Sequence, residues 1–181
     1  MSQLSDHDKA VINCIFNPSL PLDQIYDEEL SDDIKDVDAN TPDVMQSKNL
    51  EYEAIKLTEE KHFDEALRVL DQAIKLTPGR SSPYNNRAQV HQLRGDAESA
   101  LYDLTKAISL GSRNEEQRTL CQAYCQRGLL YRKDDQVDLA RDDFGKAAKL
   151  GSVFAKNQMV ELNPYAALCN QMLRKAFQNL K

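Results

Sequence analysis

The chain spells nearly the same helix three times. Residues 66–78 read ALRVLDQAIKLTP, residues 100–112 read ALYDLTKAISLGS, and residues 140–152 read ARDDFGKAAKLGS. The anchoring alanines Ala66, Ala100 and Ala140 lie 34 and then 40 residues apart. A repeat period of this size means stacked supersecondary units, none of which can bury its own apolar face alone. The chain is therefore expected to be all-α and built by stacking.

Aligned on those alanines, the units run 47–80, 81–114 and 121–154, and each predicts two antiparallel helices, A and then B. In the second unit Pro83 suits the first turn of helix A, and Tyr84, Ala88 and His91 share one face. Gly95 ends that helix and Asp96 caps helix B, whose inner face carries Ala100, Leu104, Ala107 and Ile108. Antiparallel helices approach closely only where side chains are small, so Ala88 and Ala100 mark their crossing. Ala54 with Ala66, and Gly128 with Ala140, mark the others. Large apolar positions follow at Leu70, Leu104 and Phe144. The pattern resembles the tetratricopeptide repeat, whose period is 34. The fold expected is a right-handed superhelical solenoid of three helix pairs.

Six extra residues, EEQRTL from Glu115 to Leu120, account for the longer second spacing. They are expected to lengthen the start of the third helix A, with Glu115 and Glu116 favoured at a helix N-terminus. Residues 155–181 are assigned to C-terminal capping helices. There Asn163 and Pro164 open a helix whose Tyr165, Leu168, Met172, Leu173 and Phe177 share a face. Residues 1–46 form an acidic arm, in which Val11, Ile12, Ile15 and Phe16 predict a short amphipathic helix.

Charge divides the chain at the same place. The first 46 residues carry a net charge of −9 and the remainder +3. The arm is expected to lie near the more basic wall as an occupant that partners must displace; the alternative is a loosely attached tail. No basic stripe with interleaved aromatics is present, so nucleic acid is not an expected partner. No apolar run is long enough to cross a bilayer, and a membrane is not expected either. The start shows no signal-peptide pattern, and the four cysteines read as free thiols of a reducing compartment. The expected location is cytoplasmic, extending to the nucleus, and a monomer is expected.

Stacked helix pairs offer a concave wall made by the A helices, suited to a peptide or a partner helix. By repeat position that wall carries Lys48, Glu51, Ile55, Asn85, Asn86, Gln89, Gln122, Cys125, Gln126, Leu129 and Arg132. Lys48, Asn85, Asn86, Gln89, Gln122, Gln126, Leu129 and Arg132 are the candidate partner-binding residues. Their amides can pair with the backbone of an extended ligand; a plain solvated face is the competing interpretation. Some tetratricopeptide co-chaperones clamp the C-terminal carboxylates of heat-shock chaperones with Lys and Asn side chains and one Arg. The corresponding positions here are Glu51, Ile55, Asn86, Gln122 and Gln126, so only one asparagine remains and that clamp is not expected.

VINCIFNPSLP near the start and NPYAALCNQML near the end, with YNNRAQ, QRGLLYR and RDDF between them, resemble the tetratricopeptide repeat protein 36 family over nearly the whole chain. That resemblance implies a small binder of heat shock protein 70 with a link to tyrosine catabolism. Two functions follow: a co-chaperone-like adaptor, or a scaffold that binds and protects a metabolic enzyme. Neither needs catalysis or a cofactor. Cys121 and Cys125 stand one turn apart, but zinc wants four ligands, and buried thiols are expected instead. Arg94-Gly95-Asp96 is a turn and a cap rather than an adhesion motif. No phosphate loop or nucleophile elbow is present, so no metal site and no enzyme are expected.

Overall fold

The computed structural model describes residues 41–163, together with Asp36 and Met172. The predicted arm helix around Val11–Phe16 and the capping helix beyond Asn163 lie outside the described residues. Within them are seven helices: α1 (Pro42–Glu59), α2 (Phe63–Leu76), α3 (Ser82–Arg94), α4 (Ala97–Asn114), α5 (Gln117–Lys133), α6 (Val137–Lys149) and α7 (Val153–Glu161). Helix A of each unit is α1, α3 or α5, and helix B is α2, α4 or α6.

Local chemistry accounts for three of the helix starts. Thr41 accepts from the Val44 N–H at 3.4 Å ahead of Pro42. Asp96 accepts from Ser99 N–H at 3.1 Å and opens α4. Ser152 accepts from Ala155 N–H at 3.1 Å and opens α7. These side chains satisfy donors that no helix can pair internally. α1 thus begins at Pro42, inside the stretch 1–46 that charge had assigned to the arm.

All three A-to-B turns are the same motif. Lys61, Gly95 and Asp135 occupy the left-handed region, with φ of 64°, 88° and 60°. Each turn repeats one pair of backbone bonds, such as His62 N–H to Leu57 C=O at 2.8 Å and Asp96 N–H to His91 C=O at 2.9 Å. The third turn matches with Gln136 N–H to Tyr131 C=O at 2.8 Å. This is the Schellman arrangement, which normally favours glycine; only one of the three positions has it.

Each helix packs on its neighbours in the chain, and the A helices also touch in series, α1 on α3 and α3 on α5. The crossings fall at the small residues: Ala54, Ala66, Ala88, Ala100 and Ala140 have at most 1% exposure. At Gly128 a methyl group would sit 2.8 Å from Phe144 Cε1, so the ring lies flat against bare backbone. Leu70, Leu104 and Phe144 are fully buried. The six inserted residues divide between two jobs. Glu115 ends α4 in a left-handed conformation and Glu116 stands at the cap position of α5. Gln117–Leu120 form the first turn of α5.

Two arginines bolt neighbouring units together, Arg87 the second to the first and Arg127 the third to the second, and the sequence reading had not singled them out. Arg87 on α3 grips buried Asp103 on α4 with two bonds of 2.7 and 2.6 Å, and reaches Asp71 on α2 at 2.7 Å. Forty residues on, Arg127 grips buried Asp143 at 2.7 and 2.8 Å and reaches Thr105 on α4 at 3.2 Å. Each guanidinium also lies over a tyrosine ring, Tyr84 or Tyr124. The paired aspartate raises the pKa of each arginine above its ordinary value. So each arginine ties helix A to its own helix B and to the helix B before it. The signal was present as Tyr84/Tyr124, Arg87/Arg127 and Asp103/Asp143, all 40 residues apart.

Candidate binding wall

The A helices place their open faces side by side, and two adjoining hollows form there. One, about 190 Å³, is lined by Ile55, Thr58, Asn86, Gln89 and Leu93 above buried Ala54, Leu70 and Val90. The other, about 390 Å³, is lined by Lys48, Glu51, Tyr52, Ile55, Arg80, Ser82, Asn86, Arg118 and Asp36. Of the candidate residues, the structure brings Lys48, Asn86 and Gln89 together on these hollows. Tyr52 and Leu93 are exposed apolar neighbours that repeat position alone did not reveal.

The other candidates sit differently. Asn85 is only 3% exposed and therefore presents no surface to a partner: its place in the second helix A faces the packed interior. Gln126 is buried and accepts from Gln92 Nε2 at 3.2 Å, joining α3 to α5. Arg132 donates to Gln158 and, at 2.8 Å, to Glu161, so it engages α7. Leu129 packs against the apolar cluster around Phe144. Gln122 is half-buried. The first two units thus supply the open part of the wall, while α7 engages the third.

Glu51 explains the lost clamp. It is 6% exposed and stands at the first clamp position. Arg80 Nη1 donates to one of its oxygens at 2.7 Å; Asn86 Nδ2 donates to the other at 2.9 Å, as does the Ser82 hydroxyl. Arg80 also reaches Ser47 at 3.2 Å, and Ser47 meets the Thr77 hydroxyl at 2.8 Å. The chain thus places its own carboxylate against the asparagine that would receive a ligand's. Such a charge-assisted network is stable because every donor aims at the same anion.

Cys121 and Cys125 are buried free thiols. Cys121 donates toward Ala147 C=O at 3.6 Å, and Cys125 meets the Ser152 hydroxyl at 3.4 Å. The hydrogen bond with Cys121 and burial push the Cys125 thiol well above its usual range. Among the described residues no cluster of side chains suited to a metal occurs, and no helix is long and apolar enough to cross a membrane.

Paired helices in series, alanine crossings and an open wall on the A helices define the class: a tetratricopeptide repeat solenoid. The tetratricopeptide repeat family model matches residues 122–150. The chain is 48% identical over 181 residues to the tetratricopeptide repeat protein 36 homolog of Drosophila melanogaster, covering 98% of this chain and 96% of that protein. It therefore belongs to the tetratricopeptide repeat protein 36 family. Among solved structures it is similar to the first tetratricopeptide domain of Spaghetti (RPAP3) bound to a heat shock protein 90 peptide. The TM-score there is 0.58 at 19% identity, covering 68% of this chain and 95% of that one. It is also similar to the second such domain of human RPAP3 in complex with a heat shock protein 70 peptide, with TM-score 0.54 and 19% identity, covering 66% and 94%. At that identity these likenesses establish the fold alone.

Proposed function

We propose that the chain is a non-catalytic adaptor that binds heat shock protein 70 through the open part of its concave wall, without a carboxylate clamp. The observation that carries the clamp-free mode is Glu51: a ligand carboxylate entering the first clamp position would meet a buried anion already paired with Arg80 and Asn86. Like charges at that distance repel strongly where water is excluded. The partner class is supported by the family resemblance and by the chaperone peptides carried by structural neighbours of the same fold. The test is surface plasmon resonance of the purified chain against full-length heat shock protein 70 and against a version lacking its C-terminal tail. Equal affinity for the two is expected. Binding lost with the tail would overturn the clamp-free mode, and no binding to either would overturn the partner.

The occupied clamp also favours a second reading, a scaffold that shields a metabolic enzyme, with the tyrosine-catabolism link implied by the family. Nucleotide separates the two: chaperone association changes with ATP, whereas retention of an enzyme does not. Both readings place the protein in the cytoplasm, and they extend to the nucleus.

A further inference from the structure

The N-terminus of α5 is capped from a distance. Its own cap residue, Glu116, makes no capping bond. The Glu116 carboxylate instead accepts from the Ser81 N–H at 2.9 Å and from the Ser81 hydroxyl, and from Asn114 Nδ2 at 3.1 Å. The first amides of α5 are left to another acceptor, and that acceptor comes from the acidic arm. Asp36 accepts from Arg118 N–H at 2.8 Å and from Thr119 N–H at 3.1 Å, and also from the Thr119 hydroxyl. The partners are more than 80 residues apart in sequence. Both Arg118 and Thr119 belong to the six-residue insertion that breaks the 34-residue period.

The same carboxylate lines the larger hollow of the concave wall, with Lys48, Arg80 and Arg118 around it. A helix N-terminus carries partial positive charge and unpaired donors, which suits an anion. Lys48 and Arg118 on the hollow reinforce it, the Arg80 guanidinium there being paired with Glu51, and Asp36 comes from the most acidic part of the chain. We infer that the insertion builds a carboxylate-receiving site at the edge of the wall and that Asp36 is its tethered occupant, so that the arm competes there with any acidic peptide segment of a partner. The site lies one turn before Gln122, at the edge of the same hollow that Glu51 and Asn86 line. The inference rests on the concave wall being the binding face, and its test needs no partner.

The probe is a fluorescent peptide of residues 27–41, read by anisotropy against the full chain. In the wild-type chain Asp36 is covalently linked to the site, at an effective concentration on the order of millimolar. The peptide is therefore expected to bind the Asp36→Ala chain at least about tenfold more tightly than the wild type, because the tethered competitor is gone. Adding Arg118→Glu, a change at an exposed side chain, should abolish that gain, and raising salt should weaken it. A peptide carrying the same Asp36→Ala change should not bind. Equal affinity for both chains, binding to neither, or undiminished binding of the altered peptide would each overturn the inference. A matching thermal midpoint for the wild-type and Arg118→Glu chains shows that the fold is kept. Failure here would leave the chaperone experiment unaffected.

Discussion

At the scale of single residues, two features carry more stability than their surroundings. Asp143 has a nearly unexposed side chain and its charge is balanced by Arg127. Removing one partner of such a pair leaves a bare buried charge, whereas removing both is cheap. Arg127→Leu should therefore cost about 3 kcal/mol, and Arg127→Leu with Asp143→Leu far less. A double-mutant cycle in urea checks this; additive losses would refute it. The exposed pair Arg141–Asp138 is the control, and Arg141→Ala should cost under about 0.5 kcal/mol. Gly128→Ala sets two effects against each other. Alanine gains about 1 kcal/mol of helix propensity, but overpacking costs about 1–3 kcal/mol. The Phe144 ring cannot retreat, since it is fully buried and meets Phe154 edge-on at 6.0 Å. A net loss of about 1 kcal/mol is expected, partly recovered by adding Phe144→Leu.

At the scale of helices, the shared Schellman turns define which changes help. Lys61 holds a left-handed φ of 64° with a side chain that disfavours it. Lys61→Gly should raise stability by up to about 1 kcal/mol, because relief of the strain outweighs the added freedom of the unfolded chain. Thermal denaturation checks the sign; a lower midpoint would show the turn to be unstrained. Asp96 opens α4, and its bonds to Ser99 hold its carboxyl below the ordinary range. A depressed folded pKa means that the cap's contribution is present above the unfolded pKa and is lost as pH falls through the folded value. Asp96→Asn keeps a cap but not the titration. Its stability should therefore fall less steeply as pH drops below about 3.9, the ordinary value for aspartate. Parallel acid titrations of the two proteins would contradict this.

At the scale of the whole molecule, the stack is nearly one-dimensional, and each unit leans on the next. Arg87 alone grips both Asp71 in the first unit and Asp103 in the second. The first unit has no such bolt of its own, because the positions matching Arg87 and Asp103 hold Glu53 and Val69. It relies on the apolar cluster of Ala54, Ala66, Leu70 and Val90, on the Glu51 carboxylate that receives Ser82 and Asn86, and on the Arg94–Asp64 pair. Arg87→Ala should therefore weaken the coupling of the first unit to the rest. Unfolding in urea would broaden and its apparent slope would fall, since that slope follows the surface exposed in one cooperative step. Hydrogen exchange should then show α1 and α2 opening ahead of α5 and α6. An unchanged slope with a lower midpoint would mean that the stack still unfolds as one.

The repeat, the helix pairs, the crossings at Ala54, Ala88 and Gly128 and the caps at Gly95 and Asp96 were all legible in the amino-acid order. They rest on short-range periodicity, which a linear pattern states directly. The broad location of the wall followed from repeat position for the same reason. What the order of residues could not state was which wall residues face outward and which face one another. Glu51, Arg80 and Asn86 converge from three places in the first two units, Asn85 turns into the interior, and Asp36 reaches an amide more than 80 residues away. Those pairings depend on the angle at which one helix pair stacks on the next. That angle is set by packing across the whole stack. The loss of the clamp was legible in the sequence, but only the tertiary structure decided how Glu51 is held there and that the insertion meets Asp36.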